Sequence, residues 1–317
     1  MQVVDVATPN DQHAEQALAA LEARKHVACE KPLANTLAAA RTLRDAALRA
    51  RKGKASGPGP QTFVWHNYRR CPAVGLAYQL VREGRLGRIY HVRATYLQSW
   101  GGPRTPMSWR FDAAQAGSGA HGDLNAHIVD LARFLTGDEI VEIHGAVTRR
   151  FVNERSRPGS RQRARSDVDD AALFLAGFKG GAVASFEASR LATGRQNAHA
   201  IEINGEKGAL RFEFERMNEL LFHDATLGPR LAGWQRIEAT STAGDHPWIA
   251  SWWPDGHGLG YEHGFVNMAA DIVRSISGDE PLVPLPDFVD AYETCRVLEA
   301  ALVSARERCA VKLAEVK

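Results

Sequence analysis

The chain has 317 residues, enough for roughly two domains with real cores; 44% of them are hydrophobic and 24% charged, the balance of an ordinary globular protein. Basic side chains number 39 and acidic ones 37, so the net charge of +2 carries no nucleic-acid or membrane-surface signature. No apolar run approaches the roughly 20 residues of a spanning helix, no basic-then-apolar leader is visible, and four scattered cysteines lack metal-ligand spacing, so a cytoplasmic protein with reduced thiols is expected. Val3 to Ala7 is a short apolar strand stopped by Thr8-Pro9-Asn10, and His13 to Ala23 carries a helical repeat through Ala14, Ala17, Leu18 and Leu21. His26 to Cys29 is a second strand ending at Glu30-Lys31-Pro32, and Thr36 to Ala50 a second helix. Strands alternating with helices predict βαβ units and a parallel sheet, with ligands beyond the carboxyl ends of the strands. Residues 51–60 read as a solvated Gly/Pro/basic loop, and Thr62 to His66 is the strand that closes a first domain over 1–66.

From residue 67 to 317 the pattern changes. After Asn67-Tyr-Arg-Arg70 and an amphipathic helix over Pro72 to Gly84, period-two segments recur at Arg88–Ser99, Ile140–Thr148, Asp170–Phe178, Ala182–Arg190, Ala198–Ile203 and Ala209–Glu215. Lys179-Gly-Gly181 and Asn204-Gly205 are hairpin turns, and the arginine-rich stretch Arg149 to Arg165 is a solvated loop between strands. The predicted fold class is therefore α/β plus α+β: a truncated Rossmann-like parallel sheet followed by a larger domain with a broad, mainly antiparallel open sheet. One face of that sheet is covered by helices; the other is free to pack on a second subunit, so a homo-oligomer, dimer or tetramer, is expected.

A Gly-rich loop at Gly117 runs into a helix whose Leu124, Ile128, Leu131 and Leu135 form one apolar stripe. Asp123 and His127 lie four apart on it, so a carboxylate stands one turn from an imidazole. That pair fits an oriented proton-transfer histidine; a capping Asp with a core His is the plain alternative. Gly117, Gly119 and Gly122 spell G-x-G-x-x-G, but Arg110 to Ala116 is no buried strand, so these glycines are not read as a dinucleotide fingerprint. Further on, His246-Pro-Trp248, Trp252-Trp-Pro254 and Gly256 to Tyr261 form an aromatic loop that either stacks on sugar rings or fills a core. Tyr261 to Ile276 and Pro286 to Arg306 are helices, the latter expected to pack back on the first domain, and Ala310 to Leu313 is a terminal strand.

Val4-Asp-Val-Ala-Thr-Pro-Asn10, Lys25-His-Val-Ala-Cys-Glu-Lys-Pro-Leu33, Asn67-Tyr-Arg-Arg70, Trp109-Arg110 and Asp123-x-x-x-His127 together resemble the glucose–fructose oxidoreductase/inositol dehydrogenase/MocA family, in the same order along the chain. Members of that family begin with a strand, a glycine-rich turn and two βα units; here Met1 stands immediately before the Val-Asp-Val-Ala-Thr-Pro strand, so a member short of the first half of its nucleotide-binding domain is expected. The resemblance implies hydride transfer between NAD or NADP and a secondary alcohol or ketone of a small-molecule sugar or polyol, with no nucleic-acid or membrane partner. It also implies Lys31, Asp123 and His127 as the catalytic group: His127 as base with Asp123 orienting it, and Lys31 hydrogen-bonding the reacting oxygen, with the proton carried by either His127 or Lys31. Thr8, Asn10, His13, Glu30, Lys31, Asn67, Trp109, Arg110 and Tyr261 match cofactor-contact positions. Tyr96, Gln98 and His121, together with Lys31, Asp123 and His127, are the candidates to face substrate. The short start carries an alternative, a non-catalytic assembly or regulatory module. His121, Asp123 and His127 are acceptable zinc ligand types without a characteristic spacing, so no metal is expected.

Overall fold

A computed structural model of the protein describes residues 2–52, 59–241 and 247–316. The loop expected over 51–60 therefore falls largely outside the described residues, as does His246. In the first part of the chain β1 (Val3–Val6), α1 (His13–Glu22), β2 (His26–Cys29), α2 (Leu37–Arg51) and β3 (Thr62–Val64) build a parallel sheet in the order β1-β2-β3. The register places Val4 beside Val27 and Ala28 beside Phe63. The α2 helix starts where expected because the Thr36 hydroxyl accepts the Ala39 N–H at 3.2 Å. Leu37, Ala40, Leu43 and Ala47 then turn one stripe into the core shared with Ala17, Leu21, Val27 and Val64.

The second part begins with α3 (Pro72–Arg82) and β4 (Ile89–Leu97). The short α4 (Ala113–Ala116), α5 (Ala126–Thr136), β5 (Ile140–Arg149), β6 (Glu154–Ser156), β7 (Arg163–Arg165), β8 (Ala171–Phe178), β9 (Val183–Ser189), β10 (Ala198–Gly205), β11 (Gly208–Glu213), β12 (Glu219–Asp224), β13 (Gln235–Glu238), α6 (Tyr261–Ser277), α7 (Phe288–Glu307) and β14 (Val311–Lys312) follow. Nine strands form one sheet in the order β13-β12-β11-β10-β4-β9-β8-β5-β14; β4 and β9 run parallel and the other neighbours antiparallel. Helices α3, α5 and α7 cover one face, burying Phe174, Phe186, Ile201 and Phe212 from the strands beneath them. The opposite face leaves Val147, Leu173, Leu175 and Val183 exposed around a groove of about 960 Å³. No helix among the described residues is long and apolar enough to cross a membrane.

Three sequence expectations need correction. The strands β12 and β13 at one sheet edge were not expected. The turn expected at Asn204-Gly205 lies two residues later: Asn204 still pairs with Ala209, so Glu206-Lys207 makes the reversal. The stretch Arg149 to Arg165 is not solvated throughout, because it contains the β6–β7 hairpin. Within that hairpin Arg155 is fully buried. Its guanidinium stacks 3.6 Å over Phe111, donates to the carbonyls of Gly101 and Gly102, and pairs with Asp170 at 3.3 Å.

The C-terminal helix α7 binds the two sheets together. Asp287 caps it, accepting from Val289 N–H at 2.7 Å and Asp290 N–H at 2.8 Å. Its first half places Phe288, Ala291, Tyr292 and Cys295 in the core of the parallel sheet, and its second half places Val297, Leu298, Ala300 and Ala301 beneath the large sheet. A buried ion cluster reinforces the junction. Arg69, in the turn after β3, pairs with Asp130 of α5 and Asp290 of α7, and Arg133 of α5 reaches Glu139 and Asp290. The aromatic loop resolves toward packing: Trp248 is buried in the large core and Trp252 packs against it, whereas Trp253 is exposed.

Candidate active site

A cleft of about 690 Å³ opens beyond the carboxyl ends of the parallel strands, where the loops after β1, β2 and β3 face the start of α5 and the ends of β4 and β9. The Gly-rich loop brings α5 to it. A Cβ on Gly119 would lie 1.7 Å from the Asp169 carbonyl oxygen, and one on Gly117, at φ +80°, would lie 2.1 Å from that of Asn35. The Asp169 carboxylate accepts the N–H groups of Gly119 and His121 at 2.7 and 2.8 Å. These glycines thus permit backbone-to-backbone packing, and a wide π-type turn over His121–Asn125 then delivers Asp123 into the cleft. Gly119→Ala is expected to destabilise the fold by roughly 1–3 kcal/mol and to lower activity more than stability alone explains, since the backbone displaced is the one carrying Asp123. Denaturant titration beside a rate assay checks this; a variant matching the parent in both would contradict it.

Lys31 follows β2, and its peptide to Pro32 is cis. Its Nζ donates to Asp123 Oδ1 and to the Asp123 carbonyl, both at 2.8 Å. Arg190, at the end of β9, donates to Asp123 Oδ2 at 2.9 Å, and Arg110 approaches Oδ1 at 3.7 Å. Burial alone would raise the Asp123 pKa, but Lys31, Arg190 and Arg110 together hold it well below the usual carboxylate range. His127, one turn on, is kept neutral: burial, then the charge on Lys31, then His66 and His199 push its pKa well below that of a free imidazole. The expected orientation of His127 by Asp123 is not what the geometry shows. Both carboxylate oxygens are taken by Lys31 and Arg190, and His127 Nδ1 is buried with no hydrogen-bond partner among the described residues. The ring is held instead by aromatic edges, with Tyr68 at 4.7 Å and Tyr96 at 5.7 Å between centroids.

Of the residues singled out in the sequence, Thr8, Asn10, Glu30, Lys31, Asn67, Tyr96, Gln98, Trp109, Arg110, Asp123, His127 and Tyr261 line this one cleft. Two do not. His13 is fully buried beneath it, its ring nitrogens 3.0 Å from the carbonyls of Pro32 and Thr8, so it ties two strand-end loops together. His121 turns toward α7, with Nε2 2.9 Å from the Leu298 carbonyl and Nδ1 2.9 Å from Asn125, because the wide turn rotates it off the cleft face. Four residues that matter were missed: Tyr68, Trp100 and Arg190 line the cleft, and Asn197 braces its wall. Only Tyr68 carried a local signal, adjacency to Asn67 at a strand end; the others arrive through sheet pairing. Tyr68 and Tyr96 meet at 2.6 Å between hydroxyls, Asn197 Oδ1 bonds Tyr96 at 2.7 Å and Gln98 at 2.8 Å, and Gln98 bonds Trp100 at 2.6 Å.

Burial holds the imidazoles of His13, His66, His121, His127 and His199 neutral, lowering their pKa values, that of His66 to about 4 and that of His199 to about 3. Below about pH 6.5 the unfolded chain takes up protons that the native state refuses, so this stability is present above 6.5 and falls as pH drops toward 4. Each such imidazole adds a slope of up to about 1.4 kcal/mol per pH unit. Denaturation midpoints at pH 7.5, 6.0 and 5.0 should fall in that order; a flat series would contradict the burial.

Strand ends of a parallel sheet facing a polar cleft, where Lys31 from the loop after β2 meets Asp123 and a neutral His127 brought by the turn into α5, define an oxidoreductase of the nucleotide-binding kind. The cleft suits the nicotinamide end of such a cofactor: the Asn67 Nδ2 is buried at its wall, a donor left without an acceptor among the described residues. Comparison with known proteins agrees. A family model described as the GFO/IDH/MocA C-terminal domain matches residues 75–211, and one described as an oxidoreductase-family NAD-binding Rossmann fold matches residues 1–55. Levoglucosan dehydrogenase of Pseudarthrobacter phenanthrenivorans is 36% identical over 99% of this chain and 80% of its own length. The crystal structure of an oxidoreductase domain protein from Kribbella flavida aligns with a TM-score of 0.92 at 51% identity, again covering 99% of this chain and 80% of that one. A levoglucosan dehydrogenase structure in complex with NADH and L-sorbose aligns at 0.89 with 38% identity, over 99% and 80% of the two chains. The chain belongs to the GFO/IDH/MocA family of oxidoreductases.

Proposed function

We propose that the protein is an NAD(P)-dependent oxidoreductase that transfers a hydride between the cofactor and a secondary alcohol or ketone carbon of a sugar or polyol. The observation that carries this reading is the Lys31–Asp123 pair beside neutral His127 at the strand-end cleft, in a chain similar along nearly its whole length to levoglucosan dehydrogenase. A bound nicotinamide supplies the redox chemistry. The protein's own residues position the alcohol and manage its proton. Two of the three N–H groups of Lys31 are spent on Asp123, which leaves one for the reacting oxygen. Asp123, kept charged by Arg190, fixes the direction of that ammonium. His127, neutral at physiological pH, accepts the hydroxyl proton during oxidation and returns it during reduction. Thr8, Asn10, Glu30, Asn67, Trp109, Arg110 and Tyr261 form the cofactor side, and Tyr96 and Gln98 the substrate side. The exposed apolar face of the large sheet, with Leu173 and Leu175 at its centre, pairs two copies of the chain.

Thermal denaturation with NAD(H) and NADP(H) tests the reading, since a ligand at 100 times its Kd adds about 2.7 kcal/mol to the native state. A rise in Tm with one cofactor, followed by oxidation of polyols or aldoses, is the expected result. A cooperative melt unmoved by either cofactor at millimolar concentration would leave an assembly module as the better account.

A further inference from the structure

The substrate-side wall of the cleft has a hydrogen-bond direction that one residue determines. The indole N–H of Trp100 can only donate. It donates to Gln98 Oε1 at 2.6 Å, so the amide nitrogen of Gln98 faces the other way, donating to Asn197 Oδ1 at 2.8 Å and, at 3.4 Å, to the Tyr96 hydroxyl oxygen. Asn197 Oδ1 is thereby an acceptor, and the Tyr96 hydroxyl donates to it at 2.7 Å. Tyr96 has then spent its one proton, so the 2.6 Å contact between the two tyrosines is a bond donated by Tyr68. Burial raises the pKa of both phenols, which keeps those protons in place.

Every donor proton of Tyr68, Tyr96, Gln98 and Trp100 is consumed within the wall. All four side chains line the cleft; Trp100 carries no acceptor and the Tyr96 oxygen already accepts twice, so what the wall still offers is lone pairs on the Tyr68 hydroxyl and on Gln98 Oε1. Substrate hydroxyls can donate into these lone pairs. Phosphate and carboxylate oxygens only accept, and they would lose water there without compensation. The cations of the cleft are aimed elsewhere: Arg190 is committed to Asp123, Lys31 spends two of its three N–H groups there and turns the third to the reacting oxygen, and Arg110 stands 3.7 Å from the same carboxylate.

We propose that Asn197, which does not line the cleft, sets the substrate class: by holding an acceptor toward Tyr96 and Gln98 it makes the wall a reader of hydroxyl donors, so the substrate is an uncharged polyhydroxylated sugar or polyol and not its phosphate or acid. This rests on the sugar-site reading above, but it is tested by binding and needs no turnover.

Isothermal titration of the full chain with D-glucose and myo-inositol, against D-glucose 6-phosphate and D-glucuronate, is the direct measurement. The neutral compounds should bind at least about tenfold more tightly, the effect of leaving one or two polar groups unpaired. Asn197→Leu releases the Tyr96 and Gln98 protons toward the cleft and should narrow that ratio by roughly three- to tenfold. Asn197→Asp keeps an acceptor in the same place and should preserve the ratio. A purely structural role for Asn197 would weaken both ligand classes alike and leave the ratio unmoved. Should Asn197→Leu fail to fold, Trp100→Phe removes the donor that sets the direction and should narrow the ratio too. Tighter or equal binding of the anionic sugars by the parent chain, no sugar binding at all, or an unchanged ratio in Asn197→Leu or, where that does not fold, in Trp100→Phe overturns the proposal. Selective binding of neutral sugars without any redox turnover would instead sustain it while the oxidoreductase reading fails.

Discussion

Lys31→Met is expected to lower kcat/KM for alcohol oxidation on the order of 10³-fold, the usual cost of removing a positioned proton or hydrogen-bond donor at the reacting atom. The loss has two sources. The reacting oxygen loses the one ammonium N–H not committed to Asp123, and Asp123 loses the larger of the three charges that hold it ionised. Nucleotide binding should survive, because the proposed cofactor contacts Thr8, Asn10, Asn67 and Tyr261, which line the same cleft, stay in place. Steady-state rates paired with thermal shifts separate the two effects. A Met variant within tenfold of the parent in kcat/KM would remove Lys31 from the reaction.

Arg69→Leu is expected to cost about 3–5 kcal/mol of stability, the largest structural effect of any single substitution considered for this chain, because it strands a buried charge. Asp130 is 2% exposed, and among the described residues its other ion-pair contact within 4 Å is His66 at 3.5 Å, an imidazole that burial keeps neutral. Asp290, by contrast, retains Arg133 at 3.0 Å. The double variant Arg69→Leu with Asp130→Leu should therefore be more stable than the single one, since it removes the stranded charge along with its partner. Urea denaturation of the three proteins decides the matter. A single variant within about 1 kcal/mol of the parent, or a double variant less stable than the single, would show that the cluster is hydrated in solution.

The comparison of sequence and structure turns on distance along the chain. The helices α1, α2, α3 and α5 were visible because apolar repeats at three and four residues act between neighbours, and the β4, β8 and β9 strands because alternation does the same. Lys31, Asp123 and His127 were recognisable as a group only through their collinear resemblance to a family, since nothing local says that residues 31 and 123 meet. The β12 and β13 edge escaped because edge strands follow pairing with a neighbour more than any strong pattern of their own.

What the sequence by itself determined is the βαβ start, the switch to a broad sheet, the glycines that let the loop at Gly117 pack backbone on backbone, and the residue types available for chemistry. Tertiary structure alone decided their partners. It carried Arg190, 67 residues beyond Asp123, onto the oxygen that a local reading assigned to His127, and it turned His13 and His121 away from the cleft into the packing beneath it. The physical reason is that a charge or an imidazole is indifferent to its place in the chain. Which group it meets depends on strand register and on the rotation of each turn, and both are set by burying apolar surface elsewhere in the molecule.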